Sequence, residues 1–103
     1  MSLEQGYQIV FGPFRLEPST GRLQRGDQAV ALEPTPLAVL CYLAQRPGQL
    51  VTKQELIKAI WRIFVTPAVV KTCIHALRQA LGDDASAPRY IETVGRKGYR
   101  FIG

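Results

Sequence analysis

Zinc-ligand spacing, a second histidine, a glycine-rich phosphate loop and any long apolar run are all missing from this chain. Each absence removes a class of function. The two cysteines, Cys41 and Cys73, lie in apolar, helix-like stretches with no CxxC or Cys/His spacing, so no metal site is expected and two reduced, half-buried thiols are. With His75 as the single histidine, a histidine-centred relay or ligand set lacks its second member. Cys73 stands two positions away and would point to another side of a helix, which makes the two a poor nucleophile–base pair. Paired acids in a plausible cleft are also absent, so neither enzyme activity nor a cofactor is expected. No apolar run approaches the roughly 20 residues that span a bilayer, and no secretory signal pattern opens the chain. The cytoplasm is the expected location, with no membrane contact by this segment.

What the chain does contain is an ordinary globular composition with an uneven charge. A length of 103 residues with 47% hydrophobic and 20% charged residues describes one domain able to bury a core. Residues 1–6 read as a disordered or vector-derived leader, residues 7–103 as the domain, and the end just after a strand suggests a piece of a longer protein. The formal charge is +5. Residues 1–50 balance four Lys/Arg against four Asp/Glu, whereas residues 51–103 carry nine against four. That asymmetry points the C-terminal half towards a polyanion.

Short strands come first. Tyr7–Phe11, Phe14–Glu17, Arg22–Arg25 and Gln28–Leu32 are separated by turns at Gly12–Pro13, Ser19–Gly21 and Gly26–Asp27, a pattern that predicts a small antiparallel sheet. Three helices follow. Thr35–Pro36 reads as an N-cap with proline at the first helical position, and Leu37, Leu40, Leu43 and Ala44 repeat at helical spacing until Pro47–Gly48. Leu50–Val51 is a brief extended segment. Thr52 with Glu55 forms a capping box ahead of Leu56, Ile57, Ile60 and Trp61. Thr66–Pro67 repeats the cap-and-proline device, Val70, Ile74, Leu77 and Leu81 make one stripe, and Gly82 sits just past the end. Finally Tyr90–Val94 and Tyr99–Ile102, joined by Gly95–Arg96–Lys97–Gly98, predict a hairpin. The fold class is α+β: sheet, three helices, hairpin.

Turning the third helix so that its stripe faces the core leaves Ala68, Lys71, Thr72, His75, Arg78 and Gln79 outside. Cations, a hydroxyl, an amide and an imidazole on one face are the donors that phosphates and base edges require. A merely solvated face is the alternative, but such faces mix both signs, and no acid occurs from Thr66 to Leu81. Arg89, Arg96, Lys97 and Arg100 then place four cations in twelve residues against Glu92. An arginine at the tip of a thin ribbon suits a narrow minor groove. A helix able to enter one groove, beside a ribbon able to touch the next, predicts binding of double-stranded DNA. Trp61 reads as core. Ile63, Phe64 and Val65 are unusually apolar for a loop and are expected to be partly buried; if exposed, they would favour a competing reading, a protein-interaction module without DNA binding.

These residues also carry a resemblance. Leu32-Glu33-Pro34-Thr35, Arg46-Pro47-Gly48-Gln49-Leu50-Val51-Thr52, Leu77-Arg78-Gln79-Ala80-Leu81-Gly82-Asp83-Asp84, and Ile91-Glu92-Thr93-Val94 followed by Gly98-Tyr99-Arg100-Phe101 resemble the OmpR/PhoB-type winged helix-turn-helix domain from about Phe11 to Ile102. Gly82-Asp83-Asp84 and Cys73-Ile74 look most like the branch whose regulators, some of them membrane-tethered, couple this domain to something other than a receiver. The resemblance implies an N-terminal four-stranded antiparallel sheet, a recognition helix at about 67–81 in the major groove and a wing at about 90–102 at the minor groove. It implies the output domain of a bacterial transcriptional regulator in signal transduction. Its DNA-contacting positions fall on Ala68, Lys71, Thr72, His75, Ala76 and Arg78 in the helix and on Thr93, Gly95 and Arg96 in the wing, beside which Lys97 supplies a phosphate-seeking charge. The family often carries basic groups where this chain has His75, Ala76 and Gly95, which shifts binding onto Lys71, Arg78 and Arg96. The resemblance further implies that the 62–67 loop touches RNA polymerase and that copies, monomeric alone, sit head to tail on direct repeats.

Overall fold

Alternating burial builds the first sheet. In the computed structural model, which describes residues 7–103, β1 (Ile9–Phe11), β2 (Phe14–Glu17), β3 (Arg22–Arg25) and β4 (Gln28–Ala29) pair antiparallel in chain order. The proposed leader, residues 1–6, lies outside the described residues. Phe11, Phe14, Leu16 and Leu23 turn inward, while Val10, Arg15 and Arg25 face water, the two-residue period of a half-buried sheet. β4 is shorter than expected, its pairing with β3 ending at Ala29. The Val30 N–H still reaches the Leu23 carbonyl at 2.9 Å, and the chain then leaves for the first helix.

α1 (Pro34–Ala44) starts earlier than the Thr35 cap predicted, with Glu33 in the cap position and no side-chain bond there. Pro34 explains the shift: its fixed φ and missing N–H suit the first helical position, so the turn begins before Thr35 can cap it. α1 buries Val39, Leu40 and Leu43 completely. α2 (Lys53–Leu56) begins as expected, with the Glu55 N–H donating to Thr52 Oγ1 at 3.0 Å. The return arm of the box is not made. The Glu55 carboxylate instead accepts from the Tyr42 hydroxyl at 2.6 Å, tying α2 to α1. The helix then widens into a π-helical turn (Ile57–Trp61) and stops at Arg62, whose N–H reaches the Ile57 carbonyl, five residues back, at 2.9 Å. Arg62 has φ 63°, a left-handed conformation uncommon outside glycine.

α3 (Pro67–Leu81) matches its stripe: Val70, Ile74, Leu77 and Leu81 are all buried. Gly82 ends it with φ 68°, and the Asp83 N–H returns to the Arg78 carbonyl at 2.8 Å, a glycine-dependent stop. At its start Thr66 occupies the cap position without a side-chain bond. Trp61 packs partly buried against the core, as does Val65. Ile63 and Phe64 do not: they are 68% and 94% exposed, which overturns the expected partial burial of those two residues. The left-handed exit at Arg62 carries them past the end of α2 without a neighbour to cover them.

β6 (Ile91–Val94) and β7 (Gly98–Phe101) form the hairpin, and β5 (Leu50–Thr52) adds to its other side in the order β5-β7-β6. The ribbon is therefore backed by a third strand. Phe11 and Phe14 from the first sheet meet Tyr90 and Phe101 at centroid separations of 5.1–5.6 Å, joining both sheets to one core. Gly98 faces Thr52 in register. A methyl group there would overlap the Val51 carbonyl and come within 2.7 Å of Thr52 Cα. Gly98→Ala is therefore expected to cost about 3 kcal/mol, measured by urea unfolding; a loss below about 0.5 kcal/mol would show that β5 and β7 separate freely.

Candidate nucleic-acid interface

The apolar stripe of α3, pressed on the core, decides which side chains look outward. Ala68, Lys71, Thr72, His75 and Gln79 are all exposed, as the 3.6-residue period requires. Ala76 is half-buried and stands on the flank of that face turned away from the wing cleft, beside Trp61, Val69, Thr72 and Cys73 in a shallow depression.

Arg78 corrects the sequence-based expectation. It is 9% exposed, and its Nη2 donates to the Ile91 carbonyl at 2.8 Å and to Thr93 Oγ1 at 2.9 Å. Helical arithmetic accounts for this. Arg78 follows Ile74 by one turn and precedes Leu81 by one, so it leans with the stripe, and β6 closes over that flank. Its guanidinium is a brace between helix and wing, and its buried Nε has no partner. Thr93, exposed on β6, has its hydroxyl committed as that brace's acceptor.

At the turn of the wing, Gly95, Arg96 and Lys97 are exposed. Gly95 has φ 53° and open space where a Cβ would stand, and the Lys97 N–H closes the turn on the Val94 carbonyl at 3.1 Å. Arg100 does not join these cations. It pairs with Glu92 across the strands at 3.0 Å, the only salt bridge among the described residues, so Lys71, Arg96 and Lys97 are left unpaired.

Between α3 and the wing lies a cleft of about 590 Å³. Lys53, Lys71, His75, Arg78, Thr93 and Arg96 line it, with Asp83 and Asp84 also in its wall, which brings residues far apart in sequence onto one concave surface. Lys53 was not foreseen. Its backbone N–H donates to the Lys97 carbonyl at 3.2 Å, hooking the start of α2 to the wing tip. The sequence marks Lys53 as the residue after a cap but holds no sign that the cap meets the wing.

Asp83 was missed too, although its motif was noted. Its carboxylate accepts from the N–H groups of Arg89 at 2.7 Å, Tyr90 at 3.2 Å and Ile91 at 2.9 Å, and from Asp84 at 3.0 Å. Burial pushes its pKa up, but those four N–H groups outweigh it and hold Asp83 below the usual carboxylate range. Burial also pushes the Cys73 thiol up to about 11 and raises that of Cys41, so both are held as thiols. Among the described residues no helix is long and apolar enough to cross a membrane.

A helix exposing polar side chains, packed on two other helices beside a three-stranded wing, with a separate four-stranded sheet in the same fold, defines the class of winged helix-turn-helix domains. The family model described as "Transcriptional regulatory protein, C terminal" matches residues 27–101, and the chain belongs to that family, the OmpR/PhoB-type domains. It is 36% identical over 93 residues to the transcriptional activator CadC of Escherichia coli K12, covering 88% of this chain but 18% of CadC. The chain thus spans less than a fifth of that relative. Among solved structures, the Klebsiella pneumoniae RstA DNA-binding domain in complex with the RstA box superposes with a TM-score of 0.84 at 30% identity, over 94% of this chain and 98% of that one. The DNA-binding domain of E. coli CadC gives a TM-score of 0.78 at 33% identity, over 95% and 94%.

Because the Asp83 pKa is lowered by folding, its ionised form stabilises the fold fully above the ordinary carboxylate value of 3.8. That contribution is lost as pH falls through the lowered native value. Asp83→Asn is expected to lower stability near neutrality by about 1–2 kcal/mol and to flatten the acid decline between about pH 5 and pH 2. Urea unfolding at several pH values measures both; an unchanged acid limb would remove Asp83 from the account.

Proposed function

We propose that this domain binds double-stranded DNA sequence-specifically as the output domain of a bacterial transcriptional regulator. The supporting observation is the cleft that Lys71 and His75 on α3 share with Arg96 on the wing, neither cation held in a salt bridge. α3 lies in the major groove and the wing tip at the minor groove. Lys71 and Lys97 contact phosphates. Thr72, His75 and Arg96 face bases, with Ala68, Ala76 and Gly95 allowing close approach. Arg78 and Thr93 hold helix and wing at a fixed angle; their mutual bond argues for positioning over a direct phosphate contact. The likeness to RstA, solved with its box, supports this reading. A duplex partner places the domain in the cytoplasm.

Two further partners belong to the proposal. Ile63 and Phe64, exposed on the 62–67 loop, offer an apolar contact for RNA polymerase, and copies of the domain, monomeric alone, sit head to tail on repeated half-sites. The same exposed pair supports the competing reading, a protein-interaction module. Association that ignores both DNA and salt would favour that module.

Selection of bound sites from random duplexes, followed by salt titration of the preferred site, tests the DNA reading. Lys71→Ala is expected to reduce the slope of log affinity against log salt by about one unit, the loss of one phosphate contact; an unaltered slope excludes Lys71 from that role. Arg96→Ala is expected to weaken binding about tenfold and to relax preference at an A·T-rich flank. Unchanged affinity and preference in a fluorescence anisotropy titration would take Arg96 off the duplex.

A further inference from the structure

The two sides of the exposed α3 surface differ in chemistry. Lys71, His75 and Gln79 line the cleft towards the wing. Val69, Thr72 and Ala76 share the depression on the opposite side, towards Trp61 and Pro36, and Ala68 stands exposed one turn before Thr72. Three of these four side chains carry no polar atom. The fourth, Thr72, has its hydroxyl hydrogen committed: Oγ1 donates to the Ala68 carbonyl at 3.1 Å, the back-bond that helical threonines make. Thr72 therefore presents outward a methyl group and acceptor lone pairs, and no free donor.

We infer that Ala68, Val69, Thr72 and Ala76 form a methyl strip that reads the C5-methyl groups of thymines in the major groove, with Thr72 at its centre. The inference rests on the duplex reading above and adds the base chemistry to it. In the major groove thymine alone offers a methyl group, and alanine and the threonine methyl are apt contacts for it. A surface of this kind has no donor for guanine O6 or N7. Glu33 on the rim of the same depression would repel a phosphate, so the strip suits base edges rather than backbone. Readout is then divided along the helix: donors on the wing side, methyl contacts on the α1 side.

The test replaces single thymines of the selected site by deoxyuridine, which removes only the methyl. With the wild-type chain, at least one position is expected to lose about fourfold in affinity, the equivalent of one methyl returned to water. Thr72→Val keeps the methyl and loses the hydroxyl, so the thymine-over-deoxyuridine ratio should persist. Thr72→Ser keeps the hydroxyl and loses the methyl, so the ratio should fall towards one. A wild-type ratio near one at every thymine, or a Thr72→Ser protein that retains the ratio, overturns the assignment even while the wild type still selects a site. Failure to select any site instead overturns the duplex reading itself.

Discussion

Arg78 lies where α3, β6 and the return chain meet, and its environment sets the geometry on which everything outward depends. A guanidinium only 9% exposed, with two neutral oxygens as acceptors and its Nε unpartnered, is a costly group to bury. What it holds is the angle between α3 and the wing. Asp83 grips the same junction, collecting the N–H groups of residues 89 to 91 after the helix has stopped at Gly82. A cation and an anion, neither paired with the other, thus fasten helix and hairpin through backbone groups and the Thr93 hydroxyl. Backbone partners are a sound choice here, because they cannot swing away as side chains do.

From that rigid junction the polar surface can be spread without spending its charges internally. Glu92 neutralises Arg100, whereas Lys71, Arg96 and Lys97 make no salt bridge among the described residues. Their outward charge is free for a polyanion, and its position is set before any partner arrives, which lowers the ordering cost of association. β5 reinforces this from behind. Its pairing with β7 requires Gly98, and the Lys53 N–H fastens the start of α2 to the wing tip. A thin hairpin alone is marginal in water; three strands on a shared core are not.

The legible parts of the fold were those written in local periodicity or turn chemistry. The stripe of α3, the Gly82 stop, the Thr52 cap and the alternation of the first sheet each involve residues within about one turn or one register step of each other. Prediction failed where two segments compete for one group or surface. Glu55 satisfies Tyr42 instead of completing its own box. Pro34 starts α1 ahead of Thr35. Phe64 ends in solvent because a left-handed Arg62 follows a π-helical turn, and no hydropathy pattern encodes that exit. Of the proposed contact residues, Lys71, Thr72, His75 and Arg96 were readable from spacing and charge. Arg78 was misplaced, although its one-turn spacing from Ile74 and Leu81 already pointed inward.

By itself the sequence determined which stretches become helix or strand, which stripe each helix buries, and that positive charge collects in the second half, since these depend on side-chain type and short-range spacing. Only the tertiary structure decided that Lys53 joins Lys71 and Arg96 in one cleft, that Arg78 turns from surface cation to internal brace, and that Arg100 is neutralised. Those outcomes depend on which elements pack side by side, and a charge is spent or spared according to neighbours on another element, eight to fifteen residues away for Arg100 and Arg78.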